Sequence, residues 1–221
     1  MIPLRDSEPS RHTPAVMLSI LAANVAVFLY TVSLPNEAAI GRLFQTFGLV
    51  PARIAGPEPP YYAFVTSMFL HGGWLHLIGN MLYLWIFGNN VEDAMGPLRF
   101  ATFYMLCGIA AALAQILIDP TSSVPMVGAS GAIAGVLGGY LILYPRARIL
   151  ALVPLGFFTQ VAEVPALLFL PMWFLLQLLY GVASLGVQTQ GGGVAFWAHV
   201  GGFVAGLILV RLFAHRTHAW R

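Results

Sequence analysis

The spacing of the charged residues constrains this chain more than any other feature. Arg11 and Glu37 enclose 25 uncharged residues, Glu58 and Glu92 enclose 33, and Arg99 and Asp119 enclose 19. Asp119 and Arg146 enclose 26, and Glu163 and Arg211 enclose 47. A bilayer core of about 30 Å takes roughly 20 helical residues. Each of the first four gaps therefore holds one span, and the last holds two, divided at Gly191-Gly192-Gly193. The 14 residues between Arg148 and Glu163 include Pro154 and are too few to cross, so they read as an interfacial connection. The expectation is six helices near 14–34, 74–91, 99–119, 129–145, 164–187 and 195–213.

Composition agrees with a polytopic membrane protein of the all-α class. Hydrophobic residues are 59% of the chain, mean hydropathy is +0.82 and charged residues are 8%; a soluble domain carries about 25% charged residues. That sets aside soluble, nucleic-acid-binding and disordered readings, and the lone Cys107 sets aside a disulfide scaffold. The net charge of +2, from ten Arg and no Lys against eight acids, is too weak to call for a polyanionic partner. With the N-terminus cytoplasmic, the inner segments hold Arg5, Arg11, Arg99, Arg146, Arg148, Arg211, Arg216 and Arg221, while the outer ones hold Arg42 and Arg53. The positive-inside rule thus puts both ends in the cytoplasm. The expected organisation is a short segment 1–13, one membrane domain 14–213 and a basic tail 214–221. No cleaved signal is expected, because Arg5, Asp6, Glu8 and Arg11 precede an apolar run too long for one. The loop 35–73, apolar in places and rich in proline, is expected outside, dipping into the outer leaflet.

Polar groups within spans are costly and point to function. His76 and Asn80 are four apart at the outer start of the second helix and so share a face. Gly128-Ala129-Ser130-Gly131 opens the fourth helix from the same side, and His199 lies about 8 Å into the sixth. Gly131, Gly135 and Gly139 repeat every four residues, and His199, Gly202 and Gly206 share a face of the sixth helix. Small residues so spaced let membrane helices approach closely, which would bring Ser130 against His199. A histidine within hydrogen-bond reach activates a serine nucleophile. The Ser130 N–H at a helix N-terminus, with Asn80 and His76, would meet the developing oxyanion.

His71-Gly-Gly-Trp-Leu-His76-Leu-Ile-Gly-Asn80, Gly128-Ala-Ser130-Gly131 and Ala198-His199-Val-Gly201-Gly202 together resemble the rhomboid family of intramembrane serine proteases. The resemblance runs over about 60–213 and implies a six-helix rhomboid-like bundle. It implies Ser130 as nucleophile, His199 as general base, His76 and Asn80 as oxyanion stabilisers, and no metal or cofactor. Single-pass transmembrane proteins would be the substrates, cut in or near the bilayer, at a site open to the extracytoplasmic face. The fifth helix and the loop 187–194 resemble the family's lateral gate and cap, and Gly88, Glu92 and Gly96 match a structural pattern. A bacterial inner membrane is the expected location; the oligomeric state is not legible. Two positions depart from the family: Tyr61-Tyr62-Ala63-Phe64 stands where many members carry Trp-Arg, and Ala134 where some carry an aromatic ring beside the histidine.

Taken singly, these residues have plainer readings. A serine in a Gly/Ala-rich helix is usually an interface residue, and His76, Asn80 or His199 alone would be interhelical glue. His71 reads as structural at the loop-to-helix junction, His215 and His218 as solvated or near headgroups, and Trp173 and Trp197 as apolar-to-interface residues. Asp119 reads as a loop residue and Glu163 as the inner mouth of the fifth helix. An inactive rhomboid-fold protein that binds membrane clients is the alternative. A transporter would need paired ionisable groups near the midplane, whereas these charges stand at span ends.

Overall fold

The computed structural model of the chain describes residues 1–155, 158–185 and 194–215. The triple glycine at 191–193, nearly all of the 187–194 loop, and Arg216, His218 and Arg221 of the tail lie outside the described residues. Helices occupy α1 (Ala15–Val32), α2 (Glu37–Phe47), α3 (Pro51–Ile54), α4 (Ala63–Thr66), α5 (Trp74–Met95), α6 (Pro97–Ile118), α7 (Ser130–Leu143), α8 (Ala166–Ala183) and α9 (Phe196–Phe213). Among the described residues, α1, α6, α8 and α9 are long and apolar enough to cross a membrane. Helix α5 runs 22 residues but ends in the Glu92-Asp93 turn, and α7 has 14 residues.

The chain is mostly helical rather than all-α. The stretch expected to be a plain interfacial connection folds as a hairpin of β2 (Arg148–Leu155) and β3 (Phe158–Pro165), and β1 (Ile2–Asp6) from the N-terminal segment pairs with β2. The sheet is antiparallel in the order β1-β2-β3, with a register irregularity between Pro3 and Arg5. Ile149, Leu150, Leu152, Val153, Val161 and Val164 suit a pleated surface. The Ala166 N–H to Ala147 C=O bond of 2.8 Å closes the open end of the hairpin at the start of α8. Glu163 therefore lies on β3, where its carboxylate is 3.5 Å from the Arg148 guanidinium, and not at a helix mouth.

Three contacts fix the bundle. Helix α1 begins at Pro14 without a side-chain cap of its own, and the buried carboxylate of Glu92 accepts the Val16 and Met17 N–H groups at 3.0 and 2.7 Å. An anion there also complements the helix dipole. Gly88, one turn earlier on α5, has no room for a Cβ, which would lie 2.9 Å from Leu84 Cδ1 and 3.0 Å from Met17 Cγ. Gly96 turns the chain from α5 into α6 at φ +78°, a conformation that favours glycine.

The second contact is the seam between α7 and α9. A Cβ on Gly202 would fall on the Gly131 carbonyl, and one on Gly206 on the Gly135 carbonyl. Residues 132–140 of α7 are buried without interruption, so this short helix is the centre of the bundle. The third contact joins β1 to that centre: Tyr140 donates its hydroxyl to Asp6 at 2.6 Å, and Asn90 of α5 donates to the same carboxylate. Burial pushes the Asp6 carboxyl up to about 6, against the opposing effect of the Tyr140 bond.

The loop 35–73 contains more structure than its prolines suggested. Asn36 caps α2 by accepting the Ala39 N–H at 2.9 Å, and no residue of α2 is buried. At the position that departs from the family pattern, Tyr62 donates to the Thr46 carbonyl at 3.1 Å, tying α2 to the α4 turn.

Candidate active site

Gly128 shapes the entry to α7. Its φ of +125° is a glycine conformation, its N–H donates to the Ser67 carbonyl at 2.9 Å, and a Cβ on it would lie 2.6 Å from His76 Nε2. Ala129 follows as an N-cap with no side-chain bond, and Ser130 is the first helical residue. The first N–H groups of a helix have no partner within it, so the Ser130 amide is free to meet an anion. Across the glycine seam, His199 in the first turn of α9 sets Nε2 at 2.8 Å from Ser130 Oγ. Gly131 packs against Ala111 of α6, where a Cβ would approach to 2.6 Å, so neither neighbour of α7 can drift.

The other nitrogen of His199 is also engaged. Nδ1 lies 2.8 Å from Gln177 Oε1 on α8. An amide oxygen only accepts, so Nδ1 carries the proton and Nε2 presents a lone pair to the serine hydroxyl, the tautomer a general base needs. One turn before Gln177, the Trp173 ring lies 5.9 Å from the His199 ring at an interplanar angle of 36°. Ala134, on α7, contributes a buried methyl instead of a ring. The sequence reading attached no chemistry to Gln177 and placed Trp173 at the interface. The signal that marks Gln177 is that it is the sole amide in an apolar run of 18 residues.

His76 and Asn80 converge on the same entry. The place a Gly128 Cβ would occupy is 2.8 Å from His76 Cε1 and 3.6 Å from Asn80 Nδ2. His76 Nδ1 accepts the Gly72 N–H at 3.4 Å, which leaves its Nε2 as an N–H donor. Asn80 Nδ2 gives one hydrogen to His71 Nε2 at 2.9 Å and keeps the other. His71 thus orients Asn80. Burial, with the neighbouring His76, pulls its imidazole down to about 4, so it stays neutral and able to accept.

A cavity of about 40 Å³ lies beside Ser130, lined among others by Ser67, Met126, Gly128 and Ala198. It is large enough for water and offers polar partners. Asp119 ends α6 with Thr121 as its side-chain contact at 3.4 Å and does not reach His199. Among the described residues, no group of three or more His, Cys, Asp or Glu comes together as a metal site. The geometry is that of a serine hydroxyl hydrogen-bonded to a histidine ring nitrogen, beside a set of N–H donors.

Comparison with known proteins points the same way. A rhomboid domain is matched over residues 58–216. The chain is 32% identical over 179 residues to rhomboid-like protein 11, chloroplastic, of Arabidopsis thaliana, covering 77% of this chain and 59% of that protein. It is 29% identical over 202 residues to rhomboid protein 1, mitochondrial, of Saccharomyces cerevisiae, covering 89% and 53%. Against the rhomboid protease GluP of Bacillus subtilis it is 30% identical over 146 residues, covering 66% and 25%. The chain thus spans less than two thirds of the length of each of these relatives.

Proposed function

The chain belongs to the rhomboid family, and on that basis we propose that it is an intramembrane serine endopeptidase working through a Ser130–His199 dyad. It is an integral multi-pass membrane protein. The observation that carries the catalytic reading is the 2.8 Å contact between His199 Nε2 and Ser130 Oγ. His199 takes the hydroxyl proton as Ser130 Oγ attacks the scissile carbonyl. The oxyanion is met by the Ser130 N–H, His76 Nε2–H and the free hydrogen of Asn80 Nδ2. His199 then returns the proton to the leaving amine, and a water, deprotonated by the same nitrogen, releases the acyl group from Ser130.

The remaining features of the reading follow from lengths and charges. Residues 14–213 form one membrane domain of six spans, with α5 and α7 as the two that complete the set, and both termini are cytoplasmic. The 14 residues of α7 reach about 21 Å, roughly 9 Å short of the hydrocarbon core. Ser130 would accordingly sit beneath the outer surface, open to extracytoplasmic water. The family resemblance, and not length or charge, adds single-pass transmembrane proteins as the substrates and a bacterial inner membrane as the location in this reading.

The test is labelling of the full chain in liposomes with a fluorophosphonate probe, beside Ser130→Ala and His199→Ala. Wild type labels and both variants, folded, do not. Absence of labelling in folded wild type that also fails to cut a panel of single-pass substrates would turn the reading toward an inactive client-binding protein.

A further inference from the structure

Resting on the reading of His199 as the base, we propose that Gln177 and Trp173 of α8 are positioning residues. They hold the His199 ring in plane and in its Nδ1–H form, and so make the reactivity of Ser130 depend on α8 lying against α9.

Three observations carry this. Both nitrogens of His199 are bonded, Nε2 to the serine and Nδ1 to Gln177 Oε1, each at 2.8 Å. Trp173 and Gln177 are one turn apart and so share a face of α8, and the Trp173 ring lies over both His199 and Phe203 of α9, at 5.9 and 6.2 Å. Ala134 of α7, where some members of the family carry a ring beside the histidine, supplies only a methyl group. Among the described residues, the hydrogen bond to Nδ1 and the ring contact with Trp173 thus both come from α8.

A neutral amide suits this place. A carboxylate there would stabilise the imidazolium more strongly, but it would have to be held ionised inside a membrane helix bundle at a large desolvation cost. Gln177 selects the tautomer without bringing a charge.

Among the described helices long enough to cross a membrane, α8 has the smallest buried share. Its buried residues are Ala166, Phe169, Leu170 and Gly181, and all but Gly181 lie in its first turns. Pro171 follows directly, removing the hydrogen bond to the Leu167 carbonyl and weakening the helix at that level. Trp173 and Gln177 lie beyond this break. Displacement of the outer part of α8 would withdraw the acceptor and the ring together and free His199 to rotate or change tautomer.

The experiment uses the full chain in liposomes, with the fluorophosphonate rate constant and the 15N spectrum of the His199 ring as readouts. Gln177→Leu is expected to lower the labelling rate roughly 10- to 100-fold and to replace the single Nδ1–H form by a mixture of tautomers. Gln177→Glu, which keeps an acceptor, retains the Nδ1–H form and most of the rate. Trp173→Leu lowers the rate, and Trp173→Phe restores it. A purely structural role would not change the tautomer. Wild-type rate and an unchanged ring spectrum in folded Gln177→Leu would overturn the proposal while leaving the hydrolase reading intact. If Gln177→Leu does not fold, equal rates for Trp173→Leu and Trp173→Phe would overturn it. If wild type itself does not label, the dyad reading falls, and the ring spectra still decide whether Gln177 sets the tautomer.

Discussion

On the side facing α7, helix α9 lies backbone against backbone: the α-carbons of Gly202 and Gly206 sit over the carbonyls of Gly131 and Gly135, with no space for a methyl group. On the side facing α8 it is held by side chains, Trp173 and Phe174 on Phe203 and Tyr180 on Phe196, with Gln177 reaching His199. The first side sets how far His199 lies from Ser130, and main-chain contact leaves that distance little freedom. The second sets how the His199 ring is turned, through longer and softer contacts on a helix with few buried residues. Distance and orientation are two requirements of the proposed proton transfer, and this fold assigns them to two interfaces of different stiffness.

The sharpest reference point for this contrast comes from neither interface. Asn80→Ala removes the proposed oxyanion donor on α5 and should lower the cleavage rate about 100- to 1000-fold while leaving the His199 ring spectrum unchanged. A changed ring spectrum would mean that α5 also orients the base. Next in size, Gly206→Val should separate α7 from α9, lower the labelling rate about 100-fold and cost about 1–3 kcal/mol of stability, read by thermal melting. Full activity in that variant would end the claim that main-chain contact sets the distance. On the soft side, Leu179→Ala removes an exposed residue of α8 and should change stability by less than about 0.5 kcal/mol and labelling hardly at all. A large loss there would show that α8 is held from its outer face too.

The smallest expected effect concerns pH, at the two ends of the rigid half. Asp6 keeps its proton up to about 6 in the folded protein, whereas an unfolded carboxyl loses it near 3.8. Its contribution to stability is therefore full below about pH 3.8 and lost as pH rises through about 6. His71 stays neutral down to about 4 when folded, against an ordinary value of 6.5, so its contribution is present above about pH 6.5 and lost as pH falls through about 4. Melting temperatures of Asp6→Asn and His71→Asn, each subtracted from wild type across pH 4–7, should slope in opposite directions. Slopes of the same sign would show that one of these environments is misread.

Much of this was legible from charge spacing, because an uncharged run of about 20 residues has few other uses. The expected ranges 14–34 and 195–213 lie within two residues of α1 and one of α9 at every boundary. Helix α5 outran its expected end at 91 because Glu92 stays inside the helix, its carboxylate satisfied by the N-terminus of α1; a charge ends a span only if nothing in the fold receives it. The hairpin at 148–165 escaped notice for a related reason. Its alternation is weak, and its third strand comes from residues 2–6, more than 140 positions away.

Residue types, and the order in which they occur, already determined the membrane class, the convergence of Ser130, His76, Asn80 and His199, and the glycine faces that would meet. These follow from local rules: helix rise, burial of apolar runs and the absence of side chains at glycine. The partner of each polar group inside the bundle was decided by packing. Gln177 orients His199 only because α8 turns that face toward α9, His71 orients Asn80 only because the loop folds back on α5, and Asp6 meets Tyr140 only because pairing with β2 brings β1 within reach of α7. A helix's rotation about its own axis is set by all of its neighbours at once, and no short stretch of sequence contains that information.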